Sequence, residues 1–262
     1  MRVETEDLPR DSWTHFLRAR DLAQLVQEAP SRLGLEGPVL EVGCGDGSLT
    51  ALLRKRFDVV VPMDIKLRAH VSGACVADAQ ILPFQDGAFQ MVFSSNVLEH
   101  VLDLESCMAE MRRVMRDDGV MVHTMPTTTW KVAALALYPL HLLVHVAIPK
   151  AVGKLTRRRS KIEPTKNVSH ARSEEGLRQP RLRSLLIPGI HGSASSHREE
   201  IRNFGKKSWT KRFKSSDLEV LKTTPMYLHS AYQFFPFRAL VLRDLASRLG
   251  LASVRAYWAR KS

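Results

Sequence analysis

Three alternating glycines, Gly43, Gly45 and Gly47, follow the apolar run Val39–Val42 and lead into S-L-T-A-L-L. Without side chains there, backbone amides can approach a ligand closely, and amides at the start of a helix favour polar or anionic groups. A strand, a glycine turn and a helix therefore read as a nucleotide-type pocket. The spacing is G-x-G-x-G, not the G-x-G-x-x-G of dinucleotide sites. Glu41, two residues before Gly43, puts a carboxylate where it can face a cationic ligand instead of a pyrophosphate. Two more carboxylates, Asp64 and Asp78, close short apolar runs. The stretch Ser94–His100 (S-S-N-V-L-E-H) adds Ser95, Glu99 and His100, and His123, His191 and His197 are further groups able to take a proton near neutral pH.

These residues need elements to position them. From Pro38 to Met125 the pattern alternates strand and helix: strands at 39–42, 57–63, 74–77, 89–94 and 119–124, helices at 48–56, 66–72 and 104–115. Such alternation implies parallel pairing through crossovers, hence an α/β, doubly wound, mostly parallel Rossmann-like sheet with helices on both faces. Ligands in these sheets bind beyond the carboxyl ends of the strands. Gly43–Gly47, Asp64, Asp78 and Ser94–His100 all fall there.

The rest divides into an amphipathic helical extension (1–37, with a helix over 12–29), an apolar and basic insertion or lid (126–208) and a part completing the sheet (209–262). Within the last two, 160–200 reads as a long loop and F-G-K-K-S-W-T-K-R-F as a helix. A sixth strand follows at 218–223. A helix at 237–249, with Leu240, Val241, Leu245 and Leu249 on one side, ends at Gly250 as a C-cap. Residues 253–259 then close the sheet as an edge strand.

The run A-D-A-Q-I-L-P-F-Q-D-G-A-F-Q-M-V-F-S-S-N-V-L-E-H-V (Ala77–Val101), with the glycine turn and Asp64, resembles the class I S-adenosylmethionine-dependent methyltransferases, in particular the ubiquinone- and menaquinone-biosynthesis type. The resemblance covers about residues 37–125. It implies S-adenosylmethionine as cofactor, with Glu41, Gly43, Gly45, Gly47, Ser95 and His100 in its shell. It also implies Asp64 on the ribose hydroxyls and Asp78 with Ala79 at the adenine ring. Gln90 stands where the family's run has aspartate, a position that supports the strand. The pair Glu99–His100 resembles an E-x-x-E-H run that can hold a divalent metal, but Asn96 takes the first glutamate position. One carboxylate and one histidine suit a hard cation poorly, so no metal is expected.

Methyl transfer to a hydroxyl calls for alignment and a base. His123 lies inside a strand, where a buried, satisfied imidazole is expected. His191 and His197, in H-G-S-A-S-S-H-R-E-E, are the catalytic candidates, with Glu200 able to orient one of them.

The net charge of +12 conceals a division. Residues 1–125 hold 13 Lys+Arg against 19 Asp+Glu, and the remainder holds 26 against 8. Residues 132–148 carry no Asp, Glu, Lys or Arg, and Lys150, Lys154, Arg157, Arg158, Arg159 and Lys161 follow. Seventeen residues with an internal proline are at the short limit for crossing a bilayer. The stretch reads either as a buried helix pair or as a segment lying on an anionic membrane surface through residues 130–161. The expected acceptor is a small or lipid-linked molecule methylated at oxygen. The alternatives are an RNA methyltransferase using the basic half and a non-catalytic S-adenosylmethionine-binding protein. Nucleic acid is the weaker choice because the basic half lacks an RNA module or a stacking platform. Three scattered cysteines and an acidic, polar N-terminus unlike a signal peptide point to a cytoplasmic protein, peripheral on a membrane.

Overall fold

A computed structural model of the protein describes residues 18–25, 36–67, 69–144, 188–226 and 240–262. Its seven-stranded sheet contains β1 (Val39–Val42), β2 (Val60–Asp64), β3 (Cys75–Val76), β4 (Phe89–Ser95), β5 (Met115–Pro126), β6 (Leu218–Pro225) and β7 (Val254–Lys261). The order is β3-β2-β1-β4-β5-β7-β6. β1 to β5 pair in parallel, and β7 runs antiparallel to both β5 and β6. The strand order reverses between β1 and β4, the place where such sheets open a crevice for a ligand. The expected doubly wound α/β architecture is present.

Alternation along each strand sends side chains to two cores. On one face Val39, Met91, Phe93, Val122 and Trp258 pack with Leu22 and Leu25 of α1 (18–25) and Leu53 of α2 (Ser48–Leu53). On the other, Leu40, Val42, Val92 and Tyr257 pack with Met108 and Met111 of α3 (Leu104–Val114). Trp209 and Phe213 of a further helix, Lys206–Ser215, join this second core. Gln90 supports the entry to β1, its side-chain carbonyl accepting from Gly37 N at 2.6 Å.

Several elements differ from expectation. β2 starts at Val60 rather than 57 and contains Pro62, which is tolerated because β3 pairs only with Met63 and Asp64. The described residues of 66–72 form bends, not a helix. Val71 is instead packed against Gly47, where a Cβ would stand 2.8 Å from it. β7 is not an edge strand: Ala256–Ala259 are buried, as a central strand requires, and β6, with exposed Glu219 and Leu221, takes the edge. Within 160–200 the structure has a helix where a loop was expected.

The chain divides into two compact units, Met1–Lys131 with Ile190–Ser262, and Val132–Gly189. α4 (Thr128–Leu142) begins in the first and continues through Pro139 in the second. The two remaining helices before β6 are α5 (His197–Asn203) and α6 (Lys206–Ser215). α7 (Leu240–Ala246) runs into a wider turn, Ser247–Leu251, ended by Gly250 at φ +92°. Its described side chains reverse the expected face: Leu245 and Leu249 are exposed, and Arg243 and Ser247 are buried. The basic cluster Lys150–Lys161 lies outside the described residues, as do 145–148 of the apolar stretch. Among the described residues no helix is long and apolar enough to cross a membrane.

Candidate active site

The glycine turn bends by backbone that only glycine adopts without strain, Gly43, Gly45 and Gly47 having φ of +79°, +58° and +78°. The Gly43 and Cys44 amides donate to Met63 O, tying the turn to β2. A Cβ on Gly43 would stand 2.3 Å from Val97, and one on Gly47 2.8 Å from Val71, whereas nothing lies within 4 Å of one on Gly45. The space at Gly45 is therefore open, the shape a close-lying cofactor needs.

Asp64 Oδ2 accepts from Gly45 N at 2.8 Å and Oδ1 from Lys66 N at 3.1 Å. Each oxygen keeps a lone pair for ribose hydroxyls. Ala77 N donates to Asp64 O, which fixes Asp78 beside it, and Asp78 accepts from both nitrogens of Gln80. The L-P-F segment that follows is held from α3, where Glu110 accepts from Leu82 N and Arg113 donates to the carbonyls of Leu82 and Phe84. Ala79 is buried next to Asp78, and Ser95, at the end of β4, accepts from Thr124 Oγ1. These amides, lone pairs and the open turn suit S-adenosylmethionine.

Glu41 behaves differently from its expected role. It is 1% exposed and accepts from Thr50 Oγ1, so it braces the first turn of α2 from beneath instead of facing a ligand. Burial pushes its carboxyl up to about 7, against the Thr50 hydrogen bond.

Beyond β4 the chain makes a short 3-10 turn, Leu98–His100, directly after Val97, the residue packed on Gly43. Glu99 points inward with both carboxylate oxygens buried and unpartnered. His100 Nε2 lies 4.0 Å and His191 Nε2 3.9 Å from Glu99 Oε1, and the two imidazole rings meet edge to face at 4.6 Å. Burial pulls His100 below the usual imidazole value, against the pull of Glu99. Gly192 and Ser193 bring His191 to this turn: Ser193 N donates to Glu99 O, and a Cβ on Gly192 would stand 2.4 Å from that same oxygen.

Glu99, His100 and His191 are a trio whose donor atoms lie within 4.8 Å of one another. One ion at bond lengths of about 2.1 Å and tetrahedral angles would hold donors about 3.4 Å apart. The trio would have to contract to bind it. The observed spacing suits a carboxylate that stabilises an imidazolium.

His197 stands elsewhere. Its Nδ1 is 3.5 Å from Glu200 Oε2, which also meets Lys131 Nζ at 2.5 Å; Glu200 and Lys131 are buried and His197 lies at their edge. Glu200 Oε1 accepts from the backbone N of His191. Glu200 thus gathers α4, α5 and the His191 loop, joining the two expected bases without making them equivalent. His123 is fully buried, paired with Ser94 Oγ at 2.7 Å and held down to about 3 by burial, so it is a neutral structural imidazole.

A cleft of about 230 Å³ opens beside Glu99 and His191, walled by Leu98, Phe204, Trp209 and Arg212. Arg212, Trp130 and Lys131 were not singled out from sequence. Trp130 and Phe204 flank the His191 ring at centroid distances of 5.1 and 6.3 Å. A local signal existed for α5, the S-x-x-E spacing of Ser196 and Glu199: Ser196 Oγ accepts from Glu199 N as the N-cap, and Glu199 reaches back to Ser195 N, one residue before it.

Comparison with known proteins gives the family and the fold. The family model described as "Methyltransferase domain" matches residues 13–223. A malonyl-[acyl-carrier protein] O-methyltransferase of Geobacter sulfurreducens is 33% identical over 95 residues, 31% of this chain and 36% of that protein. A ubiquinone biosynthesis O-methyltransferase of Sinorhizobium medicae is 28% identical over 136 residues, 47% and 55% of the two chains. The chain thus spans about a third to just over half the length of these relatives. In fold it is similar to a putative S-adenosylmethionine-dependent methyltransferase from Listeria monocytogenes (TM-score 0.52, 11% identity, 94% of this chain and 99% of that one). It is also similar to geranyl diphosphate C-methyltransferase from Streptomyces coelicolor A3(2) solved with S-adenosyl-L-homocysteine (TM-score 0.51, 13% identity, 100% and 90%). With the family match over most of its length and an open glycine turn at the switch point of its sheet, this chain belongs to the methyltransferase-domain family, of the class I S-adenosylmethionine-dependent type.

Proposed function

We propose that the chain is an O-methyltransferase that uses S-adenosylmethionine and acts on a small or lipid-linked molecule carrying a hydroxyl. The observation that carries the reading is His191, its Nε2 3.9 Å from the buried Glu99 carboxylate, on a turn that follows the residue packed on Gly43. When bound, S-adenosylmethionine supplies a methyl on a positively charged sulfur, so transfer to a hydroxyl leaves one proton to be taken up. His191 Nε2 accepts that proton. The imidazolium then faces Glu99, whose oxygens accept no hydrogen bond from the described residues, and is stabilised as it forms. Trp130 and Phe204 hold the ring in place, and Gly192 and Ser193 fix the loop's distance from the turn.

The relatives' names include O-methyltransferases and an ajmaline N-methyltransferase of Rauvolfia serpentina. A base favours oxygen among these, because a hydroxyl must lose its proton to become a good nucleophile. The test is transfer of labelled methyl into small-molecule, lipid and RNA fractions of a cell extract. Label should enter the small-molecule or the lipid fraction as an alkali-stable methyl ether. His191→Ala and Glu99→Gln should each lower the rate by about 10²–10⁴-fold while S-adenosylhomocysteine binds as before. Label in RNA alone would reject the acceptor class, and an unchanged rate in His191→Ala would reject the base.

A further inference from the structure

Arg212 is the one cationic side chain among the described residues lining the cleft apart from His191, and the base mechanism leaves it unused. Its guanidinium carbon lies 4.7 Å from the centroid of Trp209, three residues earlier on α6, and Trp209 is 1% exposed. The stack pins the arginine against a rigid ring, so its planar fork is held out in advance of any ligand. Among the described residues no carboxylate lies within ion-pair distance of it. Glu199 acts on it from further away, and the Glu199 Oε2 is occupied by the amide and hydroxyl of Ser195. Burial pulls Arg212 below the usual guanidinium value, the mark of a cation that has lost water without gaining a full partner.

Arg113 and Arg260 contrast with it. Arg113 donates to Glu110, Asp86 and two carbonyls, and Arg260 pairs with Glu219. A half-buried arginine left without an ion pair among the described residues, on the cleft that Glu99, His191, Leu98 and Phe204 also line and with the Glu199 carboxylate there engaged by Ser195, is free to take an anion from outside.

We propose that Arg212 is an anion subsite of the acceptor cleft, and that the methyl acceptor carries a carboxylate or phosphate joined through an apolar body to the hydroxyl it presents at His191. This rests on the acceptor site being the cleft beside His191. A carboxylate or phosphate fits the fork by two parallel hydrogen bonds.

The test measures binding, not turnover, with the protein saturated in S-adenosylhomocysteine. The first probe pair is 3-(4-hydroxyphenyl)propanoate against its primary amide. The second is phenyl phosphate against phenol. At low salt at least one anion should bind about tenfold or more tightly than its neutral counterpart, and the pair that shows it identifies the source of the charge. Arg212→Met should bring that ratio to about one with the neutral probe unaffected, Arg212→Lys should keep part of it, and Lys211→Gln, an exposed cation on the same helix, should leave it intact. Equal binding of charged and neutral probes, no binding of either pair, or a preference that survives Arg212→Met would each overturn the proposal. His191→Ala should retain the preference, so an unchanged rate of methyl transfer with the ratio preserved counts against the base and not against Arg212.

Discussion

At the glycine-turn edge, Asp64 and Asp78 accept from backbone amides of Gly45, Lys66 and Gln80, groups that the turn and its flanks supply themselves. Past β4, Glu99 and Glu200 are also carboxylates, but they are buried, and apart from His100 beside Glu99 the basic side chains that face them come from other elements: His191 for Glu99, Lys131 and His197 for Glu200. The first region is locally satisfied. The second is held by charges that tertiary folding must bring together. A cofactor pocket made of amides and short-range hydrogen bonds should tolerate changes in the cleft, and a cleft made of buried charge should be sensitive to the loss of any one partner.

The largest effect expected from testing this difference is at Gly43. Gly43→Ala places a methyl 2.3 Å from Val97 at φ +79°, and S-adenosylhomocysteine binding by calorimetry should weaken by at least about a hundredfold. Gly45→Ala meets no atom within 4 Å and carries only the backbone strain of φ +58°, worth about tenfold. Equal losses would mean that strain, not the Val97 contact, shapes the turn.

Next comes the buried pair. Lys131→Met leaves Glu200 uncompensated and should cost about 3–5 kcal/mol in urea unfolding, with Lys131→Met/Glu200→Leu recovering most of it. If Lys131→Met alone is neutral, the cleft side is not held by its charges and the contrast between the regions fails.

The smallest effect is at Glu41, the one buried carboxyl on the cofactor side. Its folded value of about 7 lies above the ordinary 4.5, so the folded state holds the proton more tightly. Its contribution is therefore full below about pH 4.5 and is lost as pH rises through 7. Glu41→Gln should be more stable than the parent at pH 8 by on the order of 2 kcal/mol, with the gap closing by pH 5. A constant gap in urea midpoints across that range would show that Glu41 does not titrate there.

The same contrast decides what the sequence made legible. Gly43–Gly47, Asp64, Asp78 and the L-P-F run sit at successive strand ends of one regular alternation, so their spacing carries the geometry. His191 was nameable as a base by type, but its partner Glu99 lies far upstream, and nothing in H-G-S-A-S-S-H shows that Gly192 seats against the Glu99 carbonyl. Arg212 is one of many basic residues in its half and becomes distinctive only once Trp209 is seen beneath it. The helix α5 escaped for another reason: Ser, Gly and His composition suggested a loop, although the S-x-x-E spacing of Ser196 and Glu199 marked a helix start. At 66–72 the apolar spacing of a helix was present, but Val71 serves to fill the space below Gly47.

β7 lies between β5 and β6 and precedes neither in the chain. Until it docks, β5 presents an open edge along Met121–Pro126, and β6 has no strand to join. The parallel half of the sheet can form early from contacts near in sequence, whereas the outer three strands must close together in a late, long-range step. The segments that supply His191 and Arg212 are threaded between β5 and that closure. The cofactor edge could therefore be formed while the acceptor cleft still waits, and an intermediate arrested there would bind S-adenosylhomocysteine without any place to put an acceptor.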